Sequence, residues 1–326
     1  MIRMNKSFCL EERLDYLKEY GNHSMSYSTL QKGMEHFDIS GIGYLSYMKK
    51  NGSSYVLANP ICDVSDREKL VGEFLYKNPK TAFVQITGDV ANMLNQGFNF
   101  YATQIGIESW FDLTKWDVKG KRKLIRKYRN KAEKLGITLK KIDDNEEEVL
   151  KNQIDTLKDK WRKDRRTKNN ICFLVRPEEN NEPYTIKYGS FIDNKLIGYV
   201  VCDPLWWHNS IQGYNINLTF YDAEAFKGLN YFNVSEILFD LKNQGYEKAT
   251  LGYSPLRDIK KTGFDNPGLV PCLQLLYDYG NSIYNFKGLA RHKKDYYPEE
   301  IDVFYSSKKA VAFYDLFNVL KISRLI

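Results

Sequence analysis

The chain of 326 residues is predicted to fold as an α+β protein: two similar halves, each a mixed sheet flanked by helices, joined by a basic helix. Three observations predict this. The length exceeds one average domain and suits two of about 150 residues each. Runs of β-branched and aromatic residues alternate with single amphipathic helices in both halves. Between the halves acids nearly vanish: residues 119–141 hold eleven Lys and Arg against one acid, Glu133. The expected organisation is a first domain over 1–118, a basic linker helix and strand over 119–142, and a second domain with the catalytic site over 143–326.

In the first half, Ile42–Tyr47 and Ser54–Asn59 read as hairpin strands, Asp66–Tyr76 as a helix and Ala82–Ile86 as a further strand. In the second half the order recurs. Tyr188–Ile192, Leu196–Cys202 and Tyr214–Leu218 read as strands, Tyr231–Asn243 as a helix and Lys248–Gly252 as a strand. Hairpin strands that precede a helix and another strand make an α/β unit, so the chain reads as a duplication.

The linker carries Leu124, Ile125, Tyr128, Ala132 and Leu135 on one helical stripe, with Gly136 at a C-cap position. Its expected form is one helix over 119–141. A second basic stretch, Lys158–Lys168, sets Lys160, Arg162, Lys163, Arg165 and Arg166 around Trp161. Blocks this basic suit a polyanion; the alternative is a cation-rich linker that keeps the protein in solution. The C-terminal helix, about Lys308–Ser323, is expected to be mainly structural, with an anionic membrane surface as the competing role.

Composition excludes several classes. Net charge is a mild +7, and 43% of residues are hydrophobic, enough for cores. The five cysteines, Cys9, Cys62, Cys172, Cys202 and Cys272, form no C-x-x-C pair. That argues against a disulfide framework and a zinc site, and for a reducing cytoplasm. The first residues lack a signal-peptide apolar region, and no run of about 18 apolar residues spans a membrane. There is no phosphate-loop or dinucleotide glycine motif, and His23, His36, His208 and His292 have no metal-ligand spacing, so no metal or cofactor is expected. Ser254 lacks a nucleophile elbow. An enzyme with this inventory works by orientation and electrostatics.

The most informative segment is Tyr284-Asn285-Phe286-Lys287-Gly288-Leu289, followed by Arg291, Lys293, Lys294 and Tyr297-Pro298-Glu299. Lys287 could hold a phosphate or neutralise an oxyanion, and the flanking aromatic could stack on a nucleobase. The competing reading is a strand ending in a turn with a solvated lysine. This run resembles the end of the soluble catalytic domain of phosphatidylglycerol lysyltransferases. Gly97-Phe98, Gln104-Ile105-Gly106-Ile107-Glu108 and Asp112-Leu113 follow the same family's pattern. So do Gly120-Lys121-Arg122, Arg126, Asn130–Glu133 and Gly136, and then Gly245-Tyr246 and Leu251–Leu256. The resemblance covers nearly the whole chain from about residue 25.

The resemblance implies two tandem GNAT folds and transfer of an aminoacyl group from aminoacyl-tRNA to a lipid or small-molecule acceptor. Phe286-Lys287 also resembles the Phe-Lys pair of Fem-type peptidoglycan aminoacyltransferases. By that likeness Lys287, with Tyr284 and Asn217, is the candidate catalytic set. Phe286, Arg291, Trp161 and Tyr253 are candidate substrate contacts, and Lys121, Arg122, Arg126 and Arg129 candidate tRNA contacts. A peripheral contact with an anionic membrane, at its inner face, is the further expectation. Two departures bear on the substrate. Asn217-Leu218-Thr219-Phe220 stands where the lipid enzymes carry Asp-Leu-Met-Arg, and Phe226-Lys227-Gly228 where they carry Pro-Asn-Gly. The lipid enzymes' transmembrane flippase part has no counterpart in this sequence. Two alternatives stay open: a GNAT acyltransferase using acyl-CoA or an acyl carrier protein, and a non-catalytic binding protein.

Overall fold

A computed structural model describes residues 7–163, 171–179, 182–280 and 284–325. After α1 (Leu10–Tyr20), the first half runs β1 (Glu35–Ile39), β2 (Gly43–Lys50), β3 (Ser53–Leu57), β4 (Ile61–Cys62), α2 (Arg67–Lys77), β5 (Thr81–Ile86), α3 (Gly88–Phe98) and β6 (Tyr101–Asp112). Then come α4 (Lys123–Lys134), β7 (Thr138–Ile142) and α5 (Asp144–Lys163). The second half continues with β8 (Ile186–Ile192), β9 (Lys195–Trp207), β10 (Ser210–Tyr221), α6 (Leu229–Asn243), β11 (Lys248–Pro255), α7 (Leu269–Tyr279), α8 (Phe286–Lys294), β12 (Glu299–Ser307) and α9 (Phe313–Ile322).

The predicted α+β class holds, and the two halves share one sheet. Its order is β1-β2-β3-β5-β12-β6-β11-β10-β9-β8-β7, with β4 beside β2. In each half a helix crosses between two parallel strands, α2 between β3 and β5 and α6 between β10 and β11. β12, late in the chain, inserts between β5 and β6.

The parallel β10–β11 contact is short. Pairing covers Gly213–Asn215 against Lys248–Thr250 and then stops. β10 continues with β9 to Tyr221, while β11 continues with β6 to Pro255. The two strands therefore diverge. Main-chain groups and side chains at the divergence lose their strand neighbour and must find other partners.

The basic linker differs from a single helix over 119–141. The helix covers 123–134, Gly136 follows it with φ 68, and the chain then enters β7. Gly136 N–H donates to Glu133 O at 3.0 Å, which closes the helix as a C-terminal glycine does. The run 284–289 starts a helix rather than ending a strand: the Asn285 side chain accepts from Gly288 N at 3.1 Å and caps α8. Part of the second basic stretch, including Arg165 and Arg166, lies outside the described residues.

Candidate functional site

α8 lies along β11, and its 3.6-residue period sorts its side chains. Phe286, Ala290 and Lys293 turn inward; Lys287, Arg291 and Lys294 turn outward and are exposed. Lys293 is 7% exposed, and its Nζ donates to Tyr253 O at 2.9 Å. That carbonyl belongs to the part of β11 beyond its pairing with β10. Burial pushes the Lys293 ammonium down to about 7, the Arg257 guanidinium adds to the fall, and the Glu108 carboxylate opposes it. A lysine so held is divided between its two protonation states near neutral pH.

Glu108, on β6 directly opposite Tyr253, is buried. Its carboxylate accepts from Ser24 Oγ and, at 2.8 Å, from Trp110 Nε1. Asn215, the last β10 residue paired with β11, donates through Nδ2 to Ser24 O at 3.3 Å. Its Oδ1 is buried with no hydrogen-bond partner among the described residues. Buried polar atoms are normally paired, so such an acceptor marks a place with a use. Gly106, two residues before Glu108, has φ 155, and a Cβ there would meet Ser254 O at 2.3 Å. Only glycine lets β6 and β11 approach this closely. Five separate segments thus converge on one buried polar cluster where β10 and β11 part.

The sequence-derived candidates fall into three places. Tyr284, Phe286 and Lys287 gather at the start of α8, and Arg291 lies in its last turn. Tyr284 packs on Phe286 with ring centroids 5.0 Å apart, and Lys287 Nζ donates to Asp278 O at 3.0 Å. Tyr253 lies beneath α8, its hydroxyl bonded to Ile105 O at 2.7 Å and its pKa pushed up by burial. Asn217 and Trp161 lie apart from α8. Asn217 Nδ2 donates to Arg176 O at 3.0 Å, and Trp161 packs on Phe220 at 5.1 Å.

On α4, the three arginines are engaged within the protein. Arg122 Nε donates to Tyr296 O at 2.8 Å, Arg126 binds the Val118 and Gly120 carbonyls, and Arg129 pairs with Glu236 at 2.5 Å. Lys121, Lys123, Lys127, Lys131 and Lys134 are exposed instead. Tyr128 on α4 stacks on Tyr231 of α6 at 5.1 Å, and Tyr231 meets His292 of α8 at 4.5 Å. The lysine face of α4 and the cationic face of α8 therefore flank α6. Tyr128 also covers the start of α6: a Cβ on Gly228 would lie 1.9 Å from its ring.

Sequence reasoning missed Lys293, Glu108 and Asn215 as a group. Glu108 stood in a quoted motif and Lys293 in the basic cluster, but nothing local joined them. Among the described residues no group of three or more His, Cys, Asp or Glu could hold a metal ion, all five cysteines are unpaired, and no helix is long and apolar enough to cross a membrane.

Known proteins share this architecture. The structure of L-PGS from Bacillus licheniformis superposes with a TM-score of 0.81 at 20% identity, covering 99% of this chain and 98% of that one. A C-terminal domain from Agrobacterium fabrum, named for a lysylphosphatidylglycerol synthetase, gives 0.79 at 20% identity over 97% of each chain. FemX gives 0.55 at 10% identity, over 97% of this chain and 99% of its own, a likeness of fold alone. The phosphatidylglycerol lysyltransferase of Staphylococcus aureus strain COL is 25% identical over 305 residues, which is 89% of this chain and 34% of the relative. That of Staphylococcus haemolyticus is 23% identical over 290 residues, 87% of this chain and 33% of the relative. The chain thus spans about a third of the length of these curated relatives. The family described as phosphatidylglycerol lysyltransferase, C-terminal, matches residues 14–306, and the chain belongs to that family.

Proposed function

We propose that this chain is an aminoacyltransferase that moves an aminoacyl group from aminoacyl-tRNA to the hydroxyl of a lipid acceptor. The relatives are named for lysyl transfer to phosphatidylglycerol. The observation that carries the reading here is the buried Lys293 over the diverging strands, with Glu108 close enough to act on its charge.

The chemistry asks little more. An aminoacyl ester is already activated, so the enzyme must align the acceptor and manage one proton. Neutral Lys293 takes the acceptor hydroxyl's proton as the oxygen attacks the ester carbon. The ammonium then returns that proton to the departing ribose oxygen of tRNA. A base with a pKa near the working pH suits both halves of this exchange. Asn215 Oδ1 offers an acceptor for a donor group on the aminoacyl moiety. Lys287, Arg291 and Lys294 on α8, with the lysines of α4, supply phosphate contacts for the acceptor stem.

The coverage of Gly228 by Tyr128 weighs against an acyl-CoA donor, because a pyrophosphate at the start of α6 needs open main-chain N–H groups. The test is direct. Purified protein is incubated with [14C]lysyl-tRNA or [14C]acetyl-CoA and vesicles containing phosphatidylglycerol. Label passing from tRNA into chloroform-soluble lipid is the expected result. Transfer from CoA alone, or no transfer from tRNAs charged with any of the twenty amino acids, overturns it.

A further inference from the structure

The outer face of α9 is inverted for a helix on a water-soluble protein. Its acid and its amide, Asp315 and Asn318, are buried. Asp315 accepts from Tyr55 Oη at 3.0 Å and from Lys309 Nζ at 2.7 Å, and Asn318 donates to Tyr55 Oη at 2.8 Å. Tyr305 Oη also donates to Asp315, at 3.5 Å, and Asp315, Asn318, Tyr55 and Tyr305 are all buried. Phe313, Tyr314 and Phe317 are exposed instead, Tyr314 by 56%. α7 adds Leu275, 60% exposed, and Tyr279, 77% exposed. Both helices cover the same core cluster, so their outer faces lie on one side of the sheet. Asn266, just before α7, donates to Lys309 O at 2.7 Å and ties the start of α7 to the approach to α9.

Cations border these apolar side chains. Lys321 lies over the Phe317 ring at 4.6 Å, and Arg324 is exposed just after the helix. The acid of α9, Asp315, is buried, and the exposed acid of α7, Asp278, lies 3.9 Å from Lys287 Nζ. Aromatic and aliphatic tips rimmed by lysine and arginine match a bilayer interface, where the rings enter the headgroup region and the cations meet anionic lipid. A second copy of the same face would set like charges against each other.

We infer that the outer faces of α9 and α7 form a docking surface for an anionic lipid bilayer. The proposal concerns where the protein sits and is tested without a donor, so its failure is separable from failure of the aminoacyl-transfer reading. Flotation of the full chain is measured with phosphatidylcholine vesicles containing about one-third phosphatidylglycerol and with phosphatidylcholine vesicles alone. Binding is expected to the anionic vesicles only and to weaken with salt. Phe313→Ser with Phe317→Ser is expected to cut the partition coefficient about tenfold or more. Lys321→Ala with Arg324→Ala is expected to cut it about 25-fold at low salt, near fivefold per cation. Equal binding of wild type and the charge variant overturns the proposal. So does a wild-type dimer in sedimentation that ignores vesicles and that the phenylalanine substitutions convert to monomer.

Discussion

Lys293→Met separates a catalytic lysine from a merely buried one, because the wild-type residue leaves a signature in stability as well as in rate. Lys293 is 7% exposed, with its Nζ on a single carbonyl. A fall from the ordinary lysine range near 10.4 to about 7 corresponds to roughly 5 kcal/mol against the charged form. Below pH 7 both folded and unfolded chains hold the proton, and the whole penalty acts on the folded state. Between pH 7 and about 10 the unfolded chain binds more protons than the folded one, so this lysine makes stability rise with pH. Methionine fills a similar volume and has no such dependence. The stability of Lys293→Met minus that of wild type is therefore expected to be largest near pH 6. It should fall by about 3 kcal/mol between pH 7 and pH 9.5, at up to about 1.4 kcal/mol per pH unit. Urea denaturation at half-unit pH steps reads this difference directly, since other titrations cancel between the two proteins. In single-turnover transfer the same variant is expected to lose about 100-fold or more, the usual worth of a general base. A stability difference flat within about 0.5 kcal/mol over that pH range would refute the buried-lysine reasoning, since the linkage slope leaves no room for it.

Four further outcomes follow from the same structure. Glu108→Gln removes the carboxylate that holds the Lys293 pKa up, so the rising limb of the pH–rate profile should move to lower pH; a limb that stays put or moves to higher pH contradicts the pairing. Lys287→Ala should raise KM for the charged tRNA more than it lowers kcat, and a single-turnover loss exceeding that of Lys293→Met returns the catalytic role to Lys287. Charge reversal at Lys123, Lys127 and Lys131 should weaken tRNA binding and reduce its salt slope by about 3, whereas Arg126→Ala should mainly lower the melting temperature, since Arg126 holds the 118–120 loop; filter binding across a salt series and thermal melts distinguish the two. Gly106→Ala should cost roughly 2–3 kcal/mol in urea denaturation, because the added methyl meets Ser254 O; a cost under about 0.5 kcal/mol means that the β6–β11 approach is looser than described.

The sequence by itself determined the local elements. Runs of β-branched and aromatic residues placed β2, β3, β5, β8, β9, β10 and β11, because such side chains pack well on a pleated sheet whatever strand they pair with. The helical stripe and Gly136 placed α4, although the helix is shorter than 119–141 since the Thr138–Ile142 run pairs with β8. The ordered motifs carried the family. The site was legible only in part. Helical period alone divides the cations of 287–294 into two stripes, but which stripe is buried depends on how α8 docks on β11. That docking brings Lys293 near Glu108, 185 positions earlier in the chain, and no local signal encodes so distant a meeting. The insertion of β12 between β5 and β6 is likewise a long-range pairing, chosen by competition among open strand edges. α9 shows the same limit from the other side. The helix reads as mainly structural, yet two buried tyrosine hydroxyls beneath it require polar partners, and Asp315 and Asn318 meet that need by turning the aromatic face outward.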